Sequence, residues 1–132
     1  MTLYRAQMLA NCDQDLMTLF TRVGQQRDTI IVQGARTVAA EVADMAAGKS
    51  SLKNPLDSKH VIDPNIRPVA LAVDAAPYPI DWQNIPAFED FGEFVKEQAT
   101  ILGIAIVWGG DWTTLKDYDH FELAHAHAQS SP

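Results

Sequence analysis

Apolar residues spaced as on one face of a helix occur in two early segments of the chain, and they predict two helices. The first helix would begin after a capping Asp13 and end at Gly24, and the second would be capped by Thr37 and end at Gly48. Between them, residues 29–33 are rich in β-branched side chains and predict a short strand. The apolar positions that define the helices are Leu16, Leu19, Phe20 and Val23, then Val38, Val42 and Met45.

The rest of the chain predicts one long helix set among short strands. Residues 48–68 are rich in Gly, Ser, Asn, Asp and Pro and are interpreted as a loop. Residues 69–74 predict a strand, residues 88–102 a helix, residues 104–108 a buried strand and residues 119–123 a last short strand. This order of elements predicts an α+β domain in which helices flank a small antiparallel sheet.

Length, composition and charge narrow the class of protein. The 132 residues, of which 47% are hydrophobic and 20% charged, fit one globular domain over residues 1–132. A formal net charge of −7 argues against a nucleic-acid partner, which usually meets a basic face. The N-terminal segment has no long apolar run, so neither a signal peptide nor insertion into a membrane is predicted. Cys12 is the single cysteine and is interpreted as a packed or surface residue rather than a nucleophile.

Potential metal ligands occur in three separate segments of the chain. His60 lies in the predicted loop, Asp74 ends a predicted strand, and His120 lies in the last strand. Asp74 would share a strand face with Ala70 and Ala72, which leaves room around its carboxylate. Two imidazoles and one carboxylate, with a fourth position open to water, are typical of a catalytic zinc site. The residues alone leave open that each of these side chains is an ordinary surface or turn residue.

The segment around His120 also offers a candidate general base. Asp117 lies three residues before His120, and a turn there would bring its carboxylate to a metal-bound water. On the strand, His120 and Glu122 would face a cleft, while Phe121 and Leu123 would anchor the core.

Other candidate residues have plainer interpretations. His125 and His127 could pair on a metal, but in the polar tail that begins at residue 124 they are predicted to be solvated, and the tail itself is predicted to be frayed. Trp108 is predicted to lie in the core, whereas Trp82 and Trp112 are candidates for lining a groove.

Four motifs in a fixed order identify a family resemblance. SKH, ALAVDAAPYPIDW, WGGDW and DYDHFEL begin at residues 58, 70, 108 and 117. In this combination the chain resembles the D-alanyl-D-alanine and L-alanyl-D-glutamate metallopeptidases. These include VanX/VanY-type enzymes and many phage endolysins, and they share their fold with the zinc-bearing domain of hedgehog proteins. The resemblance spans roughly residues 29 to 123.

The resemblance implies roles for particular residues. By the match to the motifs, His60, Asp74 and His120 are expected to bind one Zn²⁺ ion, and Asp117 is expected to be the catalytic acid and base. Residues 33–37 (QGART) resemble a further motif of the family, whose arginine helps to hold the substrate carbonyl or the oxyanion. Arg36 is expected to do the same, and the alternative that it only pairs locally stays open.

The resemblance also implies a function. It predicts a zinc-dependent peptidase that cuts peptidoglycan stem peptides at the L-alanyl-D-glutamate bond, as an endolysin does. The alternatives are a D-alanyl-D-alanine carboxypeptidase or dipeptidase and a non-catalytic zinc-binding module. The WGGDW motif and an Asp at position 117, where VanX-like enzymes carry Glu, favour the endolysin branch. Residues 61–68 are interpreted as a loop insertion near the cleft that bears on substrate preference.

The same resemblance implies an oligomeric state, a cellular location and a partner for the protein. The enzyme is expected to be a monomer without a separate cell-wall-binding domain. It would stay in the host cytoplasm until release and then act on the cell wall. A phage enzyme of this kind needs a holin to cross the inner membrane, so a holin partner is implied by the family only.

Overall fold

Three α-helices and two β-sheets make up residues 1–127, which are the residues that the structure, a computed structural model, describes. The α+β class predicted from the sequence is confirmed. None of the helices in this part of the chain has the length and apolar character needed to cross a bilayer. The helices are α1 (Gln14–Gln26), α2 (Val38–Ala46) and α3 (Ile85–Leu102), and the strands are β1 (Leu3–Tyr4), β2 (Thr29–Gln33), β3 (Arg36–Thr37), β4 (Val61–Ile62), β5 (Ala72–Pro77), β6 (Ile106–Trp108) and β7 (His120–Leu123).

The larger sheet carries its strands in the order β1-β2-β5-β7-β6. β5 lies antiparallel to β2 on one side and to β7 on the other, and β6 pairs antiparallel with β7. β1 adds a short parallel strand beside β2 that the hydrophobic pattern does not predict. β3 and β4 pair in parallel as a separate small sheet. The predicted antiparallel arrangement therefore holds from β2 through β5 and β7 to β6, with parallel pairs added outside it.

The two faces of the central strands have different surroundings. Val73 on β5 and Phe121 and Leu123 on β7 are buried in the hydrophobic core that α1 and α3 cover. Because side chains alternate along a strand, Asp74 and His120 lie on the opposite face. One face of the sheet therefore stabilises the fold, and the other carries polar residues. The helices contribute Leu16, Leu19, Phe20 and Val23 from α1 and Phe91, Val95 and Ala99 from α3.

Helix α1 has the predicted cap but ends later than predicted. The Asp13 carboxylate accepts a hydrogen bond from the N–H of Asp15 at 2.9 Å, as an N-cap does. The sequence predicts an end at Gly24, whereas the helix continues to Gln26. Gly24 serves packing instead, because a Cβ at this position would lie 2.6 Å from the Cβ of Leu3 on β1.

The ends of the other helices follow their capping residues. Thr37 caps α2, as predicted, and the helix ends shortly before Gly48. Helix α3 begins before the predicted start near residue 88, because Asn84 accepts a hydrogen bond from the N–H of Ala87 at 3.2 Å and caps an earlier turn. Gly103 ends α3 as predicted, in the left-handed conformation with φ at 72°.

Several predicted strand and loop bounds are wrong. The interpreted loop over residues 48–68 contains a 3₁₀ turn and strand β4. The strand predicted over residues 69–74 begins later and runs on to Pro77, because the backbone there still pairs with β2. The strand predicted as buried over residues 104–108 is β6, the edge of the sheet, where Val107 is 39% exposed.

Gly92 on α3 allows Trp108 to pack directly against the helix backbone. A Cβ at this position would lie 2.2 Å from atoms of the indole ring, far inside van der Waals contact. We expect Gly92→Ala to lower the free energy of unfolding by about 1–3 kcal/mol through overpacking. The sign of this change distinguishes overpacking from helix propensity, because helix propensity alone would raise the free energy of unfolding by about 1 kcal/mol.

Urea unfolding of both proteins measures this change. Glu97→Ala on the exposed side of α3 is the control and is expected to stay within about 0.5 kcal/mol of wild type. A Gly92→Ala variant as stable as wild type, or more stable, would contradict the close packing of Trp108 on α3.

Candidate functional site

One carboxylate lies between two imidazole rings on the polar face of the sheet. The Oδ1 atom of Asp74 is 3.2 Å from Nε2 of His60 and 3.2 Å from Nδ1 of His120. These three atoms lie within 4.8 Å of one another. Both histidines are buried, and Asp74 is partly exposed. Two nitrogen atoms and one oxygen atom that converge in this way can hold a divalent metal ion.

Strand pairing brings these residues together from distant parts of the chain. Asp74 on β5 stands directly opposite His120 on β7. On its other side Asp74 faces Gln33 of β2, just after a shift in the register of that pair. His60 lies in the turn before β4, and its carbonyl oxygen accepts a hydrogen bond from the N–H of Arg36 at 2.7 Å. The β3–β4 pair therefore fixes the backbone of His60 beside the end of β2.

Hydrogen bonds determine which nitrogen of each ring faces the carboxylate. Nδ1 of His60 lies 2.9 Å from the carbonyl oxygen of Gly34, so Nδ1 donates and Nε2 is left for a metal. Nε2 of His120 lies 2.9 Å from Oε1 of Glu122, which leaves Nδ1. Glu122 in turn forms an ion pair with Lys59, with 2.9 Å between Oε2 and Nζ. In each ring, the nitrogen that does not face Asp74 contacts a hydrogen-bond acceptor that orients the ring, as is usual for histidines that bind metals.

Burial and hydrogen bonding set the charges in this cluster. Burial would raise the pKa of Asp74, but hydrogen bonds from His120 and His60 lower it to about 2. Asp74 is therefore an anion at neutral pH, the form in which a carboxylate binds a cation. Burial would lower the pKa of His120, but hydrogen bonds to Asp74 and Glu122 raise it to about 9. Because a metal binds the neutral ring, metal binding at neutral pH would release this proton.

The contact between Glu122 and His120 predicts an effect on metal affinity. We expect Glu122→Ala to weaken zinc binding by about 10–100-fold, because the ring of His120 loses the acceptor that orients it. Competition titration with a chromogenic zinc chelator measures the affinity. Glu97→Ala, an exposed change of the same type on α3, should bind zinc as wild type does. An unchanged affinity in Glu122→Ala would show that the ring is held by other contacts.

Arg36 lines the same cavity as the ligand cluster and is held by two neighbours. Its Nη1 forms an ion pair with Glu41, and its Nη2 donates to Oε1 of Gln33 at 2.6 Å. Glu41 is fully buried and also accepts a hydrogen bond from Oγ of Ser50 at 2.8 Å. The local pairing left open by the sequence is therefore present. A guanidinium has five donors, so Arg36 keeps others for a ligand.

The WGGDW motif lets the next segment approach the cluster closely. A Cβ on Gly109 would lie 2.2 Å from the carbonyl oxygen of Asp117, so a larger residue would push this segment away. The N–H of Asp117 donates to the carbonyl of Gly109 at 3.1 Å, and the N–H of His120 donates to the carbonyl of Asp117 at 3.2 Å. The chain therefore turns between Asp117 and His120. Asp117 lines the same cavity as the three potential ligands.

Asp119 is a second carboxylate beside Asp117 that the motifs do not single out. Burial raises the pKa of Asp119 well above its ordinary range, and the hydrogen bond with Asp117 and the charge of Asp74 add to the rise. Protonation of this carboxyl pair is therefore easier than that of an isolated Asp. The only signal for this pair in the sequence is the presence of two acids, two positions apart, directly before His120.

The cavity that contains these groups has a volume of about 460 Å³. Trp112 forms part of its wall, with its ring centroid 5.2 Å from that of His120, which fits the groove-lining interpretation. Trp108 is buried in the core, as predicted. Trp82 is exposed and lines a separate cavity.

The insertion at residues 61–68 supports His60 rather than extending the cavity. The Arg67 side chain donates to the carbonyl oxygen of Val61 at 2.9 Å and also to that of Ser58, so it ties together the backbone on both sides of His60. Residues 66–68 line a different cavity, next to Asp13. The interpretation of this segment as a loop is therefore corrected: it directly follows His60 and consists of β4 and a turn held by Arg67.

The remaining candidate residues lie away from the cluster. His125 and His127 are exposed, as predicted, but Nδ1 of His127 lies 2.7 Å from Oδ1 of Asp15. The end of the predicted frayed tail, residues 128–132, lies outside the described residues. Cys12 is buried, and burial raises the pKa of its thiol to about 11. This confirms Cys12 as a packed residue rather than a nucleophile.

Comparison with known proteins identifies the family. A family model described as phage L-alanyl-D-glutamate peptidase matches residues 4–127. The chain belongs to the phage L-alanyl-D-glutamate peptidase family. The resemblance read from the motifs is thereby confirmed.

Two relatives of this phage peptidase family member are informative. The L-alanyl-D-glutamate peptidase of Escherichia phage T5 is 38% identical over 99 residues, which cover 73% of the present chain and 66% of the phage T5 protein. The match thus spans just under two thirds of that relative. The crystal structure of the Serratia marcescens L-Ala D-Glu endopeptidase ChiX superposes with a TM-score of 0.67 at 25% identity, over 89% of this chain and 84% of that one.

Proposed function

We propose that this family member is a zinc-dependent peptidase that hydrolyses the L-alanyl-D-glutamate bond of peptidoglycan stem peptides, as an endolysin. The observation that carries the proposal is the convergence of two imidazoles and one carboxylate in a cavity that also holds Asp117 and Arg36. The names of the phage T5 and Serratia marcescens relatives support the choice of bond.

The residues fit one zinc ion as the cofactor. Its ligand atoms would be Nε2 of His60, Oδ1 of Asp74 and Nδ1 of His120. Atoms bound tetrahedrally at about 2.1 Å from one zinc ion lie roughly 3.4 Å apart. The distance of 3.2 Å from Asp74 to each imidazole is close to this value. A bound zinc ion would lower the pKa of a coordinated water toward neutrality and polarise the scissile carbonyl.

Asp117 would act as the acid and base of the reaction. Its carboxylate takes a proton from the attacking water and returns it to the leaving amine of glutamate. The turn between Asp117 and His120 supports this role, because it keeps the carboxylate in the cavity without making it a ligand. Asp119, whose carboxyl group is in hydrogen-bond contact with that of Asp117, would help to hold the Asp117 carboxylate in position.

Arg36 would bind the scissile carbonyl as negative charge develops on its oxygen. A guanidinium that is already fixed needs little reorganisation to do so, which is how preorganised charges stabilise a transition state. The contacts with Glu41 and Gln33 supply this fixation. Trp112 would close one side of the cavity and limit access of water to the reacting atoms.

Digestion of purified peptidoglycan by the zinc-loaded protein, with mass spectrometry of the fragments, tests the proposed bond. Cleavage there frees the amino group of glutamate and leaves L-alanine on the glycan strand. Release of terminal D-alanine alone would indicate a D-alanyl-D-alanine carboxypeptidase or dipeptidase. Zinc binding without cleavage would indicate a non-catalytic zinc module. Either of these two outcomes would contradict the proposal.

The proposal extends to the setting in which the enzyme works. The protein would act as a monomer, reach the cell wall from the host cytoplasm, and depend on a holin for its release. Membership of a phage family supports this setting. Light scattering tests the monomer, and expression in host cells with and without a holin tests the release. Equally rapid lysis without a holin would contradict the dependence on release.

A further inference from the structure

A second cavity, of about 270 Å³, lies next to the metal cavity. Asp117 lines both cavities, so it stands at the boundary between them. The two cavities therefore adjoin at Asp117, and the second one lies within reach of a peptide that is bound at the metal cavity. The other residues that line the second cavity are Trp82, Ile85, Phe88, Lys116, Tyr118 and Asp119.

Trp82 gives the second cavity an exposed and fixed aromatic wall. Its ring stacks on the buried Phe88, with centroids 5.5 Å apart and an interplanar angle of 17°, yet 55% of Trp82 is exposed. The loop is also fixed, because Asp81 accepts backbone hydrogen bonds from Gln83 at 3.1 Å and from Asn84 at 3.0 Å. A rigid indole beside a cavity binds ligands well, because little side-chain entropy is lost on contact.

Lys116 gives the same cavity a positive charge. Arg36 and Lys59, the other cations near the site, are each paired with a carboxylate. Lys116 donates to the carbonyl oxygen of Gly110 at 2.9 Å, and no carboxylate of residues 1–127 lies within 4.0 Å of its Nζ. An ammonium group has three donors, so two remain for a ligand.

The role of Asp117 determines which half of the substrate enters the second cavity. A group that returns a proton to the leaving amine must lie close to that amine. The cavity beyond Asp117 therefore receives the leaving half of the peptide, which begins with glutamate. A glutamate that continues the chain through one of its carboxyl groups keeps the other as a free carboxylate. The charge of this carboxylate complements that of Lys116.

We propose that Lys116 and Trp82 form a subsite for the leaving half of the stem peptide. Lys116 binds the free carboxylate of glutamate, and Trp82 packs against the aliphatic part of the residue that follows. The inference rests on the proposed function and deepens it, because it names a determinant of substrate preference. Stem peptides with a free carboxylate at this glutamate are cleaved in preference to those in which it is an amide.

Two synthetic stem peptides test this subsite. They differ only in that the glutamate carries a free carboxylate in one and a carboxamide in the other. The zinc-loaded wild type is expected to cleave the carboxylate peptide with a kcat/KM about tenfold higher, as expected for a charge-assisted hydrogen bond. Lys116→Gln is expected to lose this preference, mainly through a higher KM. Trp82→Ala is expected to raise KM for both peptides and to keep the preference.

Lys49→Gln is the matched control for charge. Lys49 is exposed and lines neither cavity, so this variant should keep the full preference. Equal cleavage of the two peptides by wild type, or a preference that persists in Lys116→Gln, would overturn the subsite and leave the proposed function intact. Failure of the zinc-loaded wild type to cleave either peptide would contradict the proposed function and the subsite with it. Zinc content and urea unfolding of each variant separate an effect on binding from a loss of structure.

Discussion

Asp117→Asn is expected to lower the rate of stem-peptide cleavage by about 10²–10⁴-fold while zinc content stays unchanged. The amide has the shape of the carboxylate, but it can neither accept the proton of the attacking water nor return it to the leaving amine. Zinc should remain, because Asp117 is not part of the cluster of His60, Asp74 and His120. The loss should fall on kcat, since the role proposed for Asp117 is to transfer a proton in the transition state rather than to bind the peptide.

Asp111→Asn is the matched control for this variant. Asp111 lies in the WGGDW segment just before the segment of Asp117, is exposed, and pairs with Lys96 at 2.8 Å. An exposed ion pair contributes little to stability, so this change should leave both kcat and zinc content close to wild type. An Asp117→Asn variant that retains zinc and cleaves at the wild-type rate would remove Asp117 from the mechanism. A variant that loses zinc would instead show that Asp117 is a ligand.

Asp74→Asn is expected to weaken zinc binding by more than the roughly 10–100-fold expected when a residue that is hydrogen-bonded to a ligand is replaced. The neutral amide removes the only negative charge among the three proposed ligand atoms, and cleavage should be lost with the metal. Asp74 also accepts the contacts from both His60 and His120, so the substitution disturbs the charge state of the whole cluster. Zinc competition titration, together with cleavage at saturating zinc, measures both effects.

Asp90→Asn provides the comparison for Asp74→Asn. Asp90 is an exposed acid on α3 that pairs with Arg27, far from the polar face of the sheet, and its loss should not change zinc affinity. Urea unfolding of the metal-free forms shows whether Asp74→Asn still folds. A folded Asp74→Asn variant with wild-type zinc affinity would exclude Asp74 as a ligand.

The three potential ligands could be predicted from the sequence because each of them occupies a defined position in a family motif. Periodicity alone gave no reason to join His60, Asp74 and His120, which come from three separate segments. The physical reason lies in the register of β5 and β7, which sets Asp74 opposite His120. Alternation along β7 was also predictable, since Phe121 is buried while Glu122 faces the cavity.

The groups that orient the site residues were not predictable. Glu41 lies at the start of α2 and is fully buried beneath Arg36, while Val42 next to it is 48% exposed, so the apolar pattern of this helix points to the wrong residue. The acceptor for Nδ1 of His60 is the backbone carbonyl of Gly34. Backbone groups leave no signature in the sequence, so this contact could come only from the structure.

The element bounds that were predicted wrongly have a common cause, because short strands and helix ends depend on tertiary contacts that local sequence patterns do not show. β3 and β4 have two residues each, too few for an alternating pattern, and they form because the segments around Arg36 and His60 meet. Gly24 is a plausible helix end by composition, but the contact with Leu3 explains its presence inside α1. Local patterns predict the long helices and β2, because these bury a whole face.

The most direct test of the central claim compares one preparation in two states, stripped of metal and reloaded with zinc, on the same peptidoglycan. Mass spectrometry of the released fragments and the zinc content of each state are measured together. The account predicts that the stripped protein releases nothing, whereas the reloaded protein binds one zinc ion and releases fragments that begin with glutamate. Cleavage of the same bond at the same rate by the stripped protein would contradict it.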